Sequence, residues 1–512
     1  MFTEKPLYNP SNILIVPFLI YNTQLKTPEA LAQGWFTFTI YCYFQESSRK
    51  LPPLNSKKSK HRPTQKKAEI WPQEKGKKVS NMSEIKIDRS LSYLKGSQRV
   101  YDEASTLRNT KAQLKKIGVT RIADITNLDR IGIPVFSSIR PSAAEGAISI
   151  YSGKGSTPER ARISAIMESF ERCLAERAGT NANIKSEITA PILADSYENL
   201  LNTQNVIDPK TLLCPEGSLP YSPQEWVEAY DLLREEKVFV SACAVFHPYN
   251  APSRFLRLFR SNTNGLASGN VLEEAILHGF LEVIERDVIS KAQFNRKLGK
   301  EIKLREEEGS LYELAKKFEA AGVFLKLWNV PNDMGIPTVI AVADDVKLKD
   351  PALLVMGAGS HLRPEIAVSR AITEVAQSRV VQIQGAREDT AREGFIREIG
   401  YERMKRLNKF WFEEGESITL SEIPDLSRKS PAENIDVVLE KIGKVAEHAL
   451  VVDLSRKDIA VPVVRTIVPG FELFTIDPER RGKRLRAGKK GSFFRSQRRE
   501  GKRAEKTGEK KP

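Results

Sequence analysis

The chain of 512 residues is poor in cysteine and has no long apolar run, and each scarcity removes a class of protein. Its four cysteines, Cys42, Cys173, Cys214 and Cys243, share no paired spacing, which speaks against both a zinc site and a disulfide framework. Thiols this sparse fit a reducing cytoplasm, the compartment expected here. No apolar run reaches the roughly 18–20 residues of a membrane span, so no membrane association is expected. The segment Ile13–Ile20 is short, is interrupted by Pro17, and lacks the basic start and small-residue cleavage site of a signal peptide.

Charge is abundant and uneven. Residues 1–81 carry 13 Lys/Arg against 5 acids and residues 480–512 carry 15 against 3, so of the net +15 the stretch 82–479 holds −5. A basic protein by its total is a mildly acidic body between two basic ends. Nucleic-acid contact through those ends is a minor reading, and a solvated tail is the stronger one. Three regions follow. Residues 1–81 are expected to be a disordered extension, or a stretch ahead of a true start at Met82. Residues 82–479 are expected to form one large domain, and 480–512 a basic disordered tail.

Within the body one phrase recurs. Glu-x-x-Glu-Arg stands at Glu168–Arg172 and again at Glu282–Arg286. Each belongs to a longer frame, Glu159-x-Ala161-x6-Glu168-x2-Glu171-Arg172 and Glu273-x-Ala275-x6-Glu282-x2-Glu285-Arg286. A third copy reads Glu365-x-Ala367-x6-Glu374-x2-Gln377, with Arg379 slightly displaced. A small-residue loop is expected to introduce each copy: Ser-Gly-Lys-Gly-Ser (152–156), Asn-Gly-Leu-Ala-Ser-Gly-Asn (264–270) and Gly357-Ala-Gly-Ser360. Three copies this far apart do not make a solenoid, and a strand–loop–helix unit repeated inside one domain is expected.

Helical projection gives Ile163, Ile166, Met167, Phe170 and Leu174 one face, with Ser164, Glu168 and Glu171 flanking it. In the second copy Ile276, Leu277, Phe280, Leu281, Val283 and Ile284 cover nearly half the circumference, and Glu274, His278, Glu282, Glu285 and Arg286 crowd the rest. An ordinary solvated face would intersperse lysine, as Glu313–Lys317 does; both acidic stripes lack it. Like charges at i and i+3 or i+4 repel, and facing pairs of carboxylates call for divalent cations, with a polyphosphate as the natural ligand held through them. Between these helices the chain reads as α/β, with strands expected at Lys237–Val245, Val323–Asn329, Thr338–Asp344, Leu353–Met356, Val451–Asp453 and Ala460–Ile467. Helices are expected at Glu307–Ala321 and Pro364–Gln384.

These elements, in this order, resemble the YcaO family. The likeness covers about residues 90–480 and includes two later phrases, Ala-Ile-Thr-Glu-Val-Ala-Gln-Ser-Arg379 and Val-Pro-Val-Val-Arg-Thr-Ile-Val-Pro-Gly470. The resemblance implies a YcaO-type α/β fold of mixed sheets and helices. It also implies ATP binding without a Walker A loop, which is absent here, and Mg²⁺ held with the triphosphate by the helix glutamates. The activity implied is phosphorylation of the oxygen of a backbone amide in a peptide or protein. A nucleophile then attacks the carbon, giving an azoline from a substrate Cys, Ser or Thr, or a thioamide from an external sulfur donor. On this basis Glu168, Glu171, Glu282 and Glu285 are the expected metal ligands, and Glu168, Glu282 and Arg286 the expected catalytic residues. Arg99, Thr106, Lys154, Ser164, Arg172, Asn270, Glu274 and Arg379 are expected at ATP; Arg172 and Arg286 read equally well as partners of neighbouring Glu. Glycines around Lys154 are read as letting a ligand approach the backbone. Cys173 is expected in the core rather than at the site.

Azoline-forming relatives commonly finish in Pro-x-Pro-x-Pro, whereas this chain finishes Gly-Glu-Lys-Lys-Pro. The phrasing from Ile117 to Pro141, opening Ile-Gly-Val-Thr-Arg-Ile-Ala-Asp, is similar to stand-alone archaeal members associated with methanogenesis. That resemblance implies thioamidation of a glycine in the α subunit of methyl-coenzyme M reductase, with a TfuA-like partner protein, a sulfide source and, as in related proteins, a homodimer. An azoline-forming cyclodehydratase is the alternative.

Overall fold

Three helices each begin four residues after a strand ends, and all three carry the repeated glutamate frame. The structure is a computed structural model; it describes residues 84–177, 190–388 and 392–489, all within the unit Phe38–Pro512. The expectations for residues 1–81 and for the end of the tail lie outside the described residues.

Fourteen strands occur among the described residues and form three sheets. The first is β1 (Arg121–Asp124), β2 (Val135–Ile139) and β3 (Ile150–Lys154), antiparallel and in that order. Then come β4 (Ile192–Asp195), β5 (Gln224–Asp231), β6 (Glu236–Ser241) and β7 (Leu266–Ser268), followed by β8 (Lys300–Ile302), β9 (Phe324–Asn329), β10 (Thr338–Asp344) and β11 (Val355–Ser360). The last are β12 (Ser417–Ile418), β13 (Leu450–Asp453) and β14 (Val463–Ile467). One sheet runs β11-β10-β9-β8-β12, the other β4-β5-β13-β14-β7 with β6 also paired to β5. The principal helices are α1 (Glu103–Lys111), α2 (Pro158–Leu174), α3 (Leu272–Asn295), α4 (Ser310–Ala320), α5 (Pro364–Gln384) and α6 (Pro431–Gly443). Helix α2 packs on β2 and β3, α3 on β7 and β14, and α5 on β10 and β11. The mixed α/β fold expected from the sequence is the one observed.

Local chemistry sets these helices. Thr157 caps α2 by accepting from the Arg160 amide, Pro158 opens the helix where no backbone N–H is needed, and Glu159 and Arg172 lie at the dipole ends that favour them. Helix α5 likewise opens on Pro364 and ends at Gly385, whose φ of +60° is left-handed. The apolar residues projected on α2 and α3 are buried or half-buried, with Phe170, Ile276, Phe280 and Ile284 fully enclosed. Cys173 is in the core, as expected.

The frame's alanine has a packing explanation. A Cβ on Gly153 would sit 1.9 Å from the Ala165 amide nitrogen and 2.4 Å from the Ala161 carbonyl oxygen. One on Gly269 would sit 2.6 Å from the Ala275 nitrogen, and one on Gly359 2.2 Å from the Ala367 oxygen. Ala161, Ala275 and Ala367 are all fully buried. Helices α2 and α5 therefore lie on the preceding strand through an Ala–Gly contact that larger residues would open, and Gly269 gives the same room to the turn between β7 and α3. This corrects two expectations. Residues 357–360 are strand β11 rather than a loop, and the glycines beside Lys154 admit helix α2 rather than a ligand. The expected strand Lys237–Val245 divides into β6 and a short helical turn, Ala242–Val245.

The stretch read as the start of a solvated basic tail also folds. Arg480 is 3% exposed and donates to the carbonyls of Leu212 and Leu213; Arg484 pairs with Asp287 at 2.7 Å; Leu485 is buried. A buried carboxylate on α3 and free carbonyls supply partners that composition does not reveal.

Candidate functional site

Helices α2, α3 and α5 converge on one another through their glutamates. Helix α2 brings Glu168 and Glu171. The Arg172 guanidinium donates to Glu168 at 3.0 Å, and Glu171 accepts from the Ser268 amide at 2.9 Å and its hydroxyl at 2.8 Å. Burial raises the Glu171 carboxyl to about 8, and the negative charges of Glu168 and Glu282 add to the rise against the Ser268 bonds. Glu282 is raised to about 7 by burial, with Glu285 pushing the same way and Arg286, Arg370 and Arg465 opposing. Glu282 makes no hydrogen bond and no ion pair within 4 Å to any described residue. It is a half-buried carboxylate that feels Glu285 on one hand and Arg286, Arg370 and Arg465 on the other, with none of them in bonding contact.

Behind it, Glu285 accepts from the Ser360 amide at 3.0 Å and lies 3.4 Å from Arg286. The third helix contributes Glu374, which occupies the frame position of Glu168 and Glu282. Its carboxylate takes the Lys154 ammonium at 2.6 Å and stands 3.9 Å from Arg286. Burial favours protonation of Glu374, but Lys154 and Arg286 outweigh it and lower its pKa. Lys154 thus reaches from the end of β3 to α5.

A third group sits at the start of α3. Glu274 accepts from both the backbone and side-chain nitrogens of Asn270 at 3.1 Å, from the Val100 amide at 2.7 Å, and lies 3.7 Å from Arg99. The Thr106 hydroxyl donates to the Asn270 side-chain oxygen at 2.9 Å. Arg99, Thr106, Asn270 and Glu274, four residues separated by up to 175 positions in the chain, form one polar network. Ser164 is half-buried one turn before Glu168.

Arg379 is elsewhere. It is fully buried, with Asp129 at 2.7 Å and Asp345 at 3.0 Å, pinning the first sheet to the second. Its displacement from the frame, visible in the sequence, puts it on another side of α5 from Glu374. The residues that sequence reasoning left unassigned are Glu374, Arg370, His278, Ser268 and Arg465. Arg370 donates from both terminal nitrogens to the His278 Nε2 at 3.2 Å, and burial together with that cation holds His278 neutral. Glu374 had a signal in its frame position; Arg370 and His278 had none.

Among the described residues no three Asp, Glu, His or Cys side chains converge closely enough to enclose a metal ion by themselves. That arrangement suits Mg²⁺, which keeps waters and binds through one or two carboxylates plus phosphate oxygens rather than in an all-protein cage. The unpaired Glu282, with Glu168 also in the neighbourhood of Glu171, fits such an ion. The cations Lys154, Arg172, Arg286 and Arg370 around them fit the phosphates.

Residues 152–472 match the YcaO family, described as YcaO cyclodehydratase, ATP- and Mg²⁺-binding. An uncharacterised protein of Methanothermobacter thermautotrophicus is 51% identical over 387 residues, which are 75% of this chain and 97% of that protein. An uncharacterised protein in the tfuA 3′ region of Rhizobium leguminosarum bv. trifolii is 29% identical over 73% of this chain and 89% of its own length. YcaO from Methanopyrus kandleri, solved bound with AMPPCP and Mg²⁺, superimposes with a TM-score of 0.62 at 30% identity, over 75% of this chain and 95% of that one. Family match, sequence identity and fold agree, and the chain belongs to the YcaO family, whose members bind ATP and Mg²⁺.

Proposed function

We propose that this protein uses ATP and Mg²⁺ to transfer the γ-phosphoryl group to the oxygen of a backbone amide in a protein substrate. Sulfur then adds to the amide carbon, the carbon–oxygen bond breaks, phosphate leaves, and a thioamide remains. In this reading the substrate is a glycine of the α subunit of methyl-coenzyme M reductase, and a sulfide source acts with a TfuA-like partner protein. Methanogen relatives at 51% and 30% identity and a relative from a tfuA region support it. Residues 82–479 are proposed as the catalytic domain, with the packed segment to Leu485 added to it.

The observation that carries the ATP-dependent part is Glu282, a carboxylate without a partner among the described residues, whose charge reaches Glu171 on α2. Bound Mg²⁺ would neutralise charge between these carboxylates and the phosphate oxygens as the phosphoryl group moves. Glu168 and Glu282 would hold the ion, while Glu171 and Glu285 are oriented by Ser268 and Ser360. Lys154, Arg172 and Arg286 would steady the phosphates. Arg99, Thr106, Asn270 and Glu274 would offer a mixed donor–acceptor set to the nucleoside end, and the Ser164 hydroxyl would contact a phosphate oxygen.

The family description itself names cyclodehydratases, which keeps azoline formation as the second reading. The test is incubation of the full chain with ATP, Mg²⁺, substrate protein, partner and sulfide, followed by phosphate release and mass spectrometry of the substrate. Replacement of oxygen by sulfur supports the thioamide, and loss of water the azoline. Glu168→Ala and Glu282→Ala should abolish both signals; undiminished turnover in either would remove the acidic site from the mechanism.

A further inference from the structure

Beside the acidic cluster lies a small cavity of about 50 Å³, walled by Arg465, Arg480, Asn264, Cys243, Phe259 and Val283. Each arginine is 3% exposed. Arg465 spends two of its nitrogens on the carbonyls of Ala244 at 2.9 Å and Asn262 at 2.7 Å, and Arg480 two on Leu213 at 3.0 Å and Leu212 at 2.6 Å. Both keep a buried Nη1 with no partner among the described residues, and no carboxylate lies within ion-pair distance of either. Each feels a carboxylate only from beyond ion-pair distance, Arg465 that of Glu282 and Arg480 that of Asp477, and burying two guanidiniums around one void with no carboxylate in contact is costly. Burial has accordingly lowered both arginines to about 10. Asn264 Oδ1, also on this wall, is an acceptor with no donor among the described residues.

We propose that this cavity is a binding site for a small protonated inorganic anion. Two guanidinium donors require negative charge, and the waiting acceptor Asn264 Oδ1 selects an anion that still carries a hydrogen. The volume, against the roughly 10–15 Å³ that one water occupies on this measure, has room for a few heavy atoms and excludes a nucleotide or a peptide. Hydrosulfide and hydrogen phosphate share that chemistry. The position joins the cavity to the acidic cluster: Val283 on its wall follows Glu282, and Arg465 carries its charge in the field of Glu282 and Arg172. Assigning the anion to entering sulfur or departing phosphate rests on the reaction proposed above; the existence of the site does not.

The test is anaerobic calorimetric titration of the full chain, at low chloride, with sodium hydrosulfide and separately with orthophosphate, beside a titration with AMPPCP and Mg²⁺. One equivalent of at least one anion should bind, and Arg480→Gln should weaken it at least tenfold. If only hydrosulfide binds, the cavity admits the nucleophile; if only phosphate binds, it releases product. Should Arg480→Gln fail to fold, wild-type crystals soaked in hydroselenide or arsenate give the same answer. An anomalous peak between the Arg465 and Arg480 guanidiniums supports the site. Binding of neither anion, affinity unchanged in Arg480→Gln, or peaks only elsewhere would overturn it. Loss of AMPPCP binding alone would instead remove the proposed reaction and leave the anion site standing.

Discussion

The Lys154 ammonium and the Glu374 carboxylate meet at 2.6 Å across 220 residues of chain, tying the end of β3 to the third glutamate helix. Arg286 stands 3.9 Å from the same carboxylate, so one acid is shared by two cations that face the site. A charged hydrogen bond of this kind contributes on the order of 1.5–3 kcal/mol. Lys154→Met should therefore weaken AMPPCP–Mg²⁺ binding by roughly ten- to a hundred-fold, since that range converts at 1.4 kcal/mol per decade. In a double-mutant cycle with Glu374→Gln the losses should be far from additive. Additive losses would mean that the two residues act separately.

Nucleotide binding should depend on pH. The Glu171 and Glu282 carboxyls, raised to about 8 and about 7, hold protons near neutrality that Mg²⁺-bound carboxylates cannot keep. Calorimetry at pH 7 in buffers of different ionisation enthalpy should show net proton release, and affinity should rise from pH 6 to pH 8.5. Flat affinity over that range would place the ion on other groups.

The same shifts fix the sign of the stability profile without ligand. A carboxyl whose folded pKa lies above its unfolded value of 4.5 binds a proton more tightly in the native state. Its contribution falls as pH climbs from about 4.5 through 7 to 8, so the ligand-free protein should melt at a higher temperature at pH 6 than at pH 8.5. Saturating AMPPCP–Mg²⁺ should narrow that gap. A higher melting temperature at pH 8.5 would contradict the placement of these two acids.

Arg379, fully buried between Asp129 and Asp345, should report on folding rather than on ligand. Arg379→Met leaves the buried Asp129 without its ion-pair partner, while Asp345 keeps Arg130 at 2.8 Å, and breaking a buried pair in this way costs about 3–5 kcal/mol. Denaturant unfolding should show the loss. An unchanged unfolding midpoint with weakened nucleotide binding would return Arg379 to the ATP site.

Gly153→Ala tests the strand–helix contact. Its Cβ would fall 1.9 Å from the Ala165 nitrogen, and helix α2 would have to move away from β3. Overpacking of this type costs about 1–3 kcal/mol or more, and Glu168 and Glu171 would be carried off with the helix. Melting temperature and AMPPCP affinity should fall together; loss of affinity at full stability would restore a ligand-contact role to the glycine.

Much of this protein was legible in its residues. Spacing alone put Glu168 with Glu171 and Glu282 with Glu285 on their helices, because a 3.6-residue period fixes which side chains share a face. The missing lysines marked those faces as something other than solvated, and Thr338–Asp344 and Pro364–Gln384 were bounded by their apolar patterns and by Pro364. Only the tertiary structure decided which partners meet across the chain. Glu374 gains its role from Lys154, His278 from Arg370, and Arg379 loses its place at the site to Asp129 and Asp345. Segments such as 357–360 and 480–485 read as loop and tail because glycine and arginine have weak local preferences. A helix backbone 2.2 Å from where a Cβ would stand, and a buried Asp287, settle them instead. Local periodicity is a property of neighbouring residues, whereas burial and ion pairing depend on distances that only the folded chain sets.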